Sequence, residues 1–136
     1  MSKNRVNAKI VSYGIYSRWE SGSKELPRIM HFCEEVPARL DIEFGMIISI
    51  RQAKGKSIEW CIAHPQIPGD DGVTMAPFRG TMRIRSADWQ FFLGDTIWAP
   101  AENKMGNWKM WVKLDGERIA EKTFKVVAES WSHPVF

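Results

Sequence analysis

Apolar and polar residues alternate along most of this chain, and the alternation is cleanest over residues 106–127. Trp108, Met110, Val112 and Leu114 occupy every second position, with Lys109 and Lys113 between them. That is the period of a half-buried β-strand. Asp115-Gly116 follows at once and signals a tight hairpin turn, because Gly takes a positive φ without steric penalty. A second strand returns through Ile119, Phe124 and Val126. Ile119 and Phe124 are five residues apart, so a straight strand would point them to opposite faces. A bulge near Ala120-Glu121, or at Gly116, is therefore expected. A lone hairpin is only marginally stable in water, so the apolar face of this one requires a second layer from the rest of the chain.

The same period recurs upstream. Residues 6–16 are rich in β-formers, and Gly14 inside them marks a bend or a place where another backbone passes close. Residues 26–36 read as a second strand, bracketed by Pro27 and Pro37. Residues 40–53 form the clearest central strand. Leu40, Ile42, Phe44, Met46, Ile48 and Ile50 share one parity, and Asp41, Glu43, Ser49 and Arg51 the other, interrupted by Ile47. Ile58, Trp60 and Ile62 make a fourth strand after the turn at 54–57, and residues 78–85 a fifth. Residues 86–100 are ambiguous: Trp89 to Leu93 suits a helical turn or a strand, with a short strand expected at 96–98. Residues 17–24 read as a loop. Residues 64–77, with three Pro and two Gly, form a long loop of the kind that is often functional or mobile. No 12-residue window carries a helical stripe. The pattern predicts an all-β fold, an antiparallel immunoglobulin-like β-sandwich of seven to eight strands. It occupies one domain over residues 6–128, with residues 129–136 as a tail.

Composition narrows the classes of function. A chain of 136 residues suits one domain with a real core. Seven Trp and seven Phe are many for this length, and in a sandwich most would fill the space between sheets. The net charge is +3, and the 19 basic and 16 acidic residues are well mixed, so no nucleic-acid partner is expected. No apolar run approaches the ~18 residues of a membrane span, and no membrane partner is expected. The polar start, MSKNRVNAK, lacks the apolar core of a secretory signal, which predicts a cytoplasmic protein; an exported mature domain would look the same. Two cysteines make no disulfide framework, and two buried free thiols are expected in preference to a Cys33–Cys61 bridge.

Candidate chemistry is sparse. His31-x-Cys33 and Cys61-x-x-His64 are the one metal-like constellation, a potential zinc site if the strand ends before His64, as Pro65 permits. The alternative is two core thiols and two unrelated histidines. Asp70 and Asp71 sit in the 64–77 loop as a potential ligand-binding pair, without the oxygen spacing of a dedicated Ca²⁺ loop. Glu34 and Glu35, adjacent on a strand, face opposite ways and cannot work as an acid–base pair. The residue types allow a Cys33 or Cys61 nucleophile with His31 or His64 as its base, but no Ser-His-Asp arrangement or phosphate loop is visible. Trp111 shares a face with Lys109 and Lys113; if that face is solvent, it presents an aromatic ring between cations. Trp19 and Trp89 would extend such a surface. The alternative is an edge Trp covered by its neighbours.

Three stretches resemble an uncharacterised bacterial domain-of-unknown-function family, DUF3859, with an immunoglobulin-like sandwich. They are the opening residues 10–16 (IVSYGIY), Phe44-Gly45, and the closing Gly106-Asn107-Trp108, Leu114-Asp115-Gly116 and residues 122–126 (KTFKV). The resemblance covers most of residues 6–127 and implies a fold without catalytic residues. The function expected is a non-catalytic binding or interaction module, taking an unknown protein or small ligand through Trp111, Trp19, Trp89, Asp70 and Asp71, with no cofactor. The alternatives are a small zinc protein using His31, Cys33, Cys61 and His64, and a module that self-associates as a homodimer through an edge strand. Residues 131–136, WSHPVF, resemble the streptavidin-binding affinity tag WSHPQF.

Overall fold

The computed structural model describes residues 7–19 and 25–129, so the tag-like segment and residue 6 lie outside it. Nine strands occur among the described residues: β1 (Asn7–Tyr16), β2 (Ile29–Phe32), β3 (Glu35–Pro37), β4 (Glu43–Arg51), β5 (Ser57–Ala63), β6 (Phe78–Arg83), β7 (Asp88–Thr96), β8 (Gly106–Leu114) and β9 (Glu117–Val127). They form a four-stranded sheet in the order β2-β1-β4-β7 and a five-stranded sheet in the order β3-β9-β8-β5-β6. A 3-10 turn at Ala101–Lys104 is the one helical element among them.

Alternation sets the core. Phe44, Met46, Ile48 and Ile50 point inward from β4, and Trp108, Met110, Val112 and Leu114 inward from β8, all buried. Phe44 meets Trp108 and Phe124 edge-on at ring-centroid distances of 5.2 and 5.7 Å. Burying a ring of this size contributes about 1.5–3 kcal/mol, so this trio at the centre holds the two layers together. The indole N–H of Trp108 donates to the Lys104 carbonyl at 2.8 Å, which satisfies its polar atom inside the core.

The expected bulge exists. Val112 pairs with Ala120 and Lys113 with Arg118, so Ile119 is the extra residue. The glycine expectation also holds. A Cβ on Gly14 would collide with the His31 carbonyl oxygen.

Three expectations need correction. Residues 26–36 are not one strand: β2 joins β1 in the four-stranded sheet, and β3 joins β9 in the other, so the chain changes sheet at Cys33-Glu34. The β3–β9 pair is parallel, which departs from a wholly antiparallel sandwich. Within the ambiguous stretch 86–100, Trp89 to Leu93 take the strand alternative as part of β7, which pairs along its length with β4; the separate strand expected at 96–98 does not form, since Thr96 ends β7 and Ile97 exchanges backbone bonds with Asp41 and Ile42.

The central strand is buried on both faces. Behind it, Tyr16, Ile47 and Phe92 form a second small cluster, covered by Trp19, Leu26 and Ile29. Leu40, assigned to the inward parity by the sequence, precedes β4 and is exposed.

Candidate functional site

The outer face of the five-stranded sheet follows from register. Inward Ile58, Trp60 and Ile62 on β5 leave Glu59, Cys61 and Ala63 outward. Their partners on β8 are Lys113, Trp111 and Lys109, and on β6 Glu59 and Cys61 pair with Thr81 and Arg79. Cys61 thus lies between Trp111 and Arg79. Its short side chain, flanked by two long ones, leaves a shallow dish of about 280 Å³ bordered by Glu59, Arg79, Thr81, Trp111 and Lys113. Cys61 is 2% exposed at the floor. Burial pushes its thiol up, against the opposing charges of Arg79, Arg118 and Lys113.

Trp111 forms one wall and is half-buried. The Arg118 guanidinium lies over its ring at 4.4 Å, a cation–π contact. Glu121 fixes that arrangement, accepting from Arg118 at 2.7 Å and pairing with Lys109 at 3.2 Å. The two cations hold the Glu121 carboxyl below the usual carboxylate range. One face of the indole is therefore covered by a neighbour, while Trp111 still borders the dish.

The other predicted site residues do not join this surface. Trp19 packs edge-on against Phe92 at 5.3 Å on the outside of the opposite sheet, its indole N–H bonded to the Glu25 carbonyl at 2.9 Å. Trp89 stacks on Phe91 at 4.8 Å against the main core. The three tryptophans thus occupy three different layers, because each belongs to a strand or loop sent to a different layer. Asp71 accepts from the Val73 N–H at 3.0 Å and shapes a tight turn; Asp70 is exposed in the same turn. The base of the 64–77 loop is structural: Ile67 is buried and Met75 packs on the core.

The potential zinc quartet does not converge. His31 and Cys33 lie at the β2 flank of one sheet, while Cys61 faces outward from β5 in the other. His64 is engaged at both ring nitrogens, Nδ1 2.6 Å from the Pro65 carbonyl and Nε2 2.9 Å from that of Ala76, which leaves neither for a metal. No group of three or more His, Cys, Asp or Glu among the described residues is placed to hold a metal ion. Both cysteines are free, and Cys33 is only half-buried.

Two buried charges escaped the sequence reading. Lys104, 1% exposed, donates to the Pro100 carbonyl at 3.0 Å and to Asn103 Oδ1 at 2.5 Å, and lies 4.3 Å over the Trp98 ring. Burial lowers its ammonium below the usual lysine range. Glu43 is buried on the outer side of β4, beneath Trp19. Neither follows from spacing, because each depends on a segment folded over it.

Two facing sheets, a Phe and Trp core between them and a solvent-facing dish define an immunoglobulin-like module. The chain belongs to the family described as "Domain of unknown function (DUF3859)", whose model matches residues 4–126. A crystal structure of an immunoglobulin-like protein from Pseudomonas aeruginosa has a TM-score of 0.69 at 22% identity, over 89% of this chain and 97% of that one. An alkylpurine DNA glycosylase from Pseudomonas fluorescens, solved bound to DNA containing an abasic-site analogue, has a TM-score of 0.44 at 11% identity, over 89% of this chain and 30% of that one. No curated protein matches the sequence.

Proposed function

We propose that this chain is a non-catalytic binding module that takes its ligand in the dish on the outer face of the five-stranded sheet. The observation that carries the reading is Trp111, fixed by Arg118 and Glu121 beside a depression that offers both a cation and a carboxylate. An indole wall supplies contact area, and Arg79, Lys113 and Glu59 supply polar selectivity, the usual division of labour in a recognition site. The test is a fragment screen read by amide chemical shifts. Shifts are expected to cluster on Glu59, Cys61, Arg79, Thr81, Trp111 and Lys113 and to vanish in Trp111→Ala. Ligands that shift residues elsewhere, or that are turned over, would remove the reading.

A second reading, self-association, is favoured at β2. This short edge strand exposes Met30 (55%) and Phe32 (62%), and its outer edge has no strand partner among the described residues. Pairing two copies there would cover both side chains. Sedimentation equilibrium is expected to show a dimer that Phe32→Lys dissociates; a monomer at millimolar concentration would dismiss it.

A further inference from the structure

The sandwich is open along its β6–β7 flank. β6 ends the five-stranded sheet and β7 ends the four-stranded one, and neither has a strand partner on its outer edge among the described residues. Between them runs a cleft of about 330 Å³, walled by Trp60, Ile62 and Met82 from one sheet and Phe91 and Leu93 from the other, and continuing to the polar side chains of Glu43, Asp95 and Thr96. On β6, Gly80 and Met82 face the cleft, while Arg79, Thr81 and Arg83 face outward. Gly80 is what lets Trp60 lie against β6: a Cβ there would stand 2.6 Å from the indole. Neither Arg79 nor Arg83 has an ion-pair partner among the described residues.

We propose that β6 accepts an extended segment of a partner protein as a sixth strand. The segment would carry the pattern acidic-apolar-polar-apolar-acidic. The spacing follows from strand geometry. A strand added at about 4.8 Å from β6 keeps the alternation, so every second side chain enters the cleft and the others lie along the outer face. Side chains opposite Gly80 and Met82 point at Trp60, Phe91 and Leu93 and are apolar. Side chains opposite Arg79 and Arg83, four residues apart and roughly 13 Å along the strand, are carboxylates. Charge decides the occupant. A second copy pairing β6 with β6 would bring arginines together, which disfavours it. A nucleic-acid strand would meet the carboxylates of Glu59 and Glu121 within the same face, which repel its phosphates. The proposal goes beyond the dish reading and does not need it, since it rests on the β6 edge and the cleft.

The test uses two labelled ten-residue peptides, one centred on Glu-Val-Thr-Val-Glu and one on Lys-Val-Thr-Val-Lys, titrated by fluorescence anisotropy. The protein is expected to prefer the acidic peptide by about tenfold. The Arg79→Glu/Arg83→Glu double variant is expected to invert that preference, which a merely unfolded protein cannot do. Deuterium exchange is expected to show the acidic peptide protecting β6 amides. Equal binding of the two peptides, no inversion, or protection on β8 in place of β6 would overturn the proposal. So would tighter binding of a single-stranded oligonucleotide, or a dimer that Arg83→Glu abolishes.

Discussion

At the scale of single residues, the groups that matter most are the charges the fold has taken out of water. Glu43 is 6% exposed, with the Trp19 backbone N–H donating to Oε1 at 3.4 Å. Burial pushes its carboxyl above the usual range, and hydrogen bonds from Thr96 and Trp19 oppose this only in part. Asp95, near His64, is raised for the same first reason. A carboxyl whose folded pKa is raised binds its proton more tightly in the native state. The stability it contributes grows as pH falls through that folded value and is lost as pH rises through it. Glu43→Gln keeps acceptor and donor atoms while removing the buried charge. Urea melts are expected to show it about 1 kcal/mol more stable than the parent at pH 8, with the gap closing towards pH 4. A gap that does not change with pH would mean that Glu43 is not the charge responsible. None of this was visible in the sequence, where Glu43 reads as one polar position on an alternating strand; what buries it is Trp19, 24 residues earlier.

At the scale of elements, three strands of the smaller sheet meet along a row of glycines. Gly14 pairs with Gly45, and Gly45 with Gly94. A Cβ on Gly45 would strike the Leu93 carbonyl and stand 2.5 Å from the Gly94 Cα, both backbone atoms that cannot swing aside. Gly45→Ala must therefore part β4 from β7 or bend both. It is expected to cost about 3 kcal/mol or more, at the upper end for overpacked positions. Chemical denaturation measures this, and a loss below about 1 kcal/mol would show that the strands separate easily. Gly14 announced its role in the sequence because it interrupts a run of β-formers. Gly45 and Gly94 did so less clearly, because their pairing is set by which strands are neighbours. The bulge at Ile119 was legible from parity alone, to within one residue. The break between β2 and β3 was not, since both pieces are extended and only their partners differ.

At the scale of the whole molecule, what was legible is the content of each face, and what was not is where each face points. Parity put Trp111, Lys109 and Lys113 together on one side of β8, and the structure keeps them there. Parity could not say that Trp19 and Trp89 would go to other layers, nor that Arg118 would cross the bulge to cover the indole, because sheet membership is a long-range property. The same topology decides which backbone is protected. β4 and β8 are internal to their sheets and carry the core rings, so their amides are expected to exchange only through global unfolding. Among the described residues β6 bonds on one side only, to β5, which leaves alternate amides along it without a strand partner. Exchange followed amide by amide is expected to show a two-residue period in β6, fast and slow in turn, and uniform slow exchange in β4. Uniform protection along β6 in the free protein would mean that its outer edge is already covered, and the flank could then take no added strand. Uniformly fast exchange would mean that β6 frays from β5, leaving an incoming segment no rigid edge to pair with.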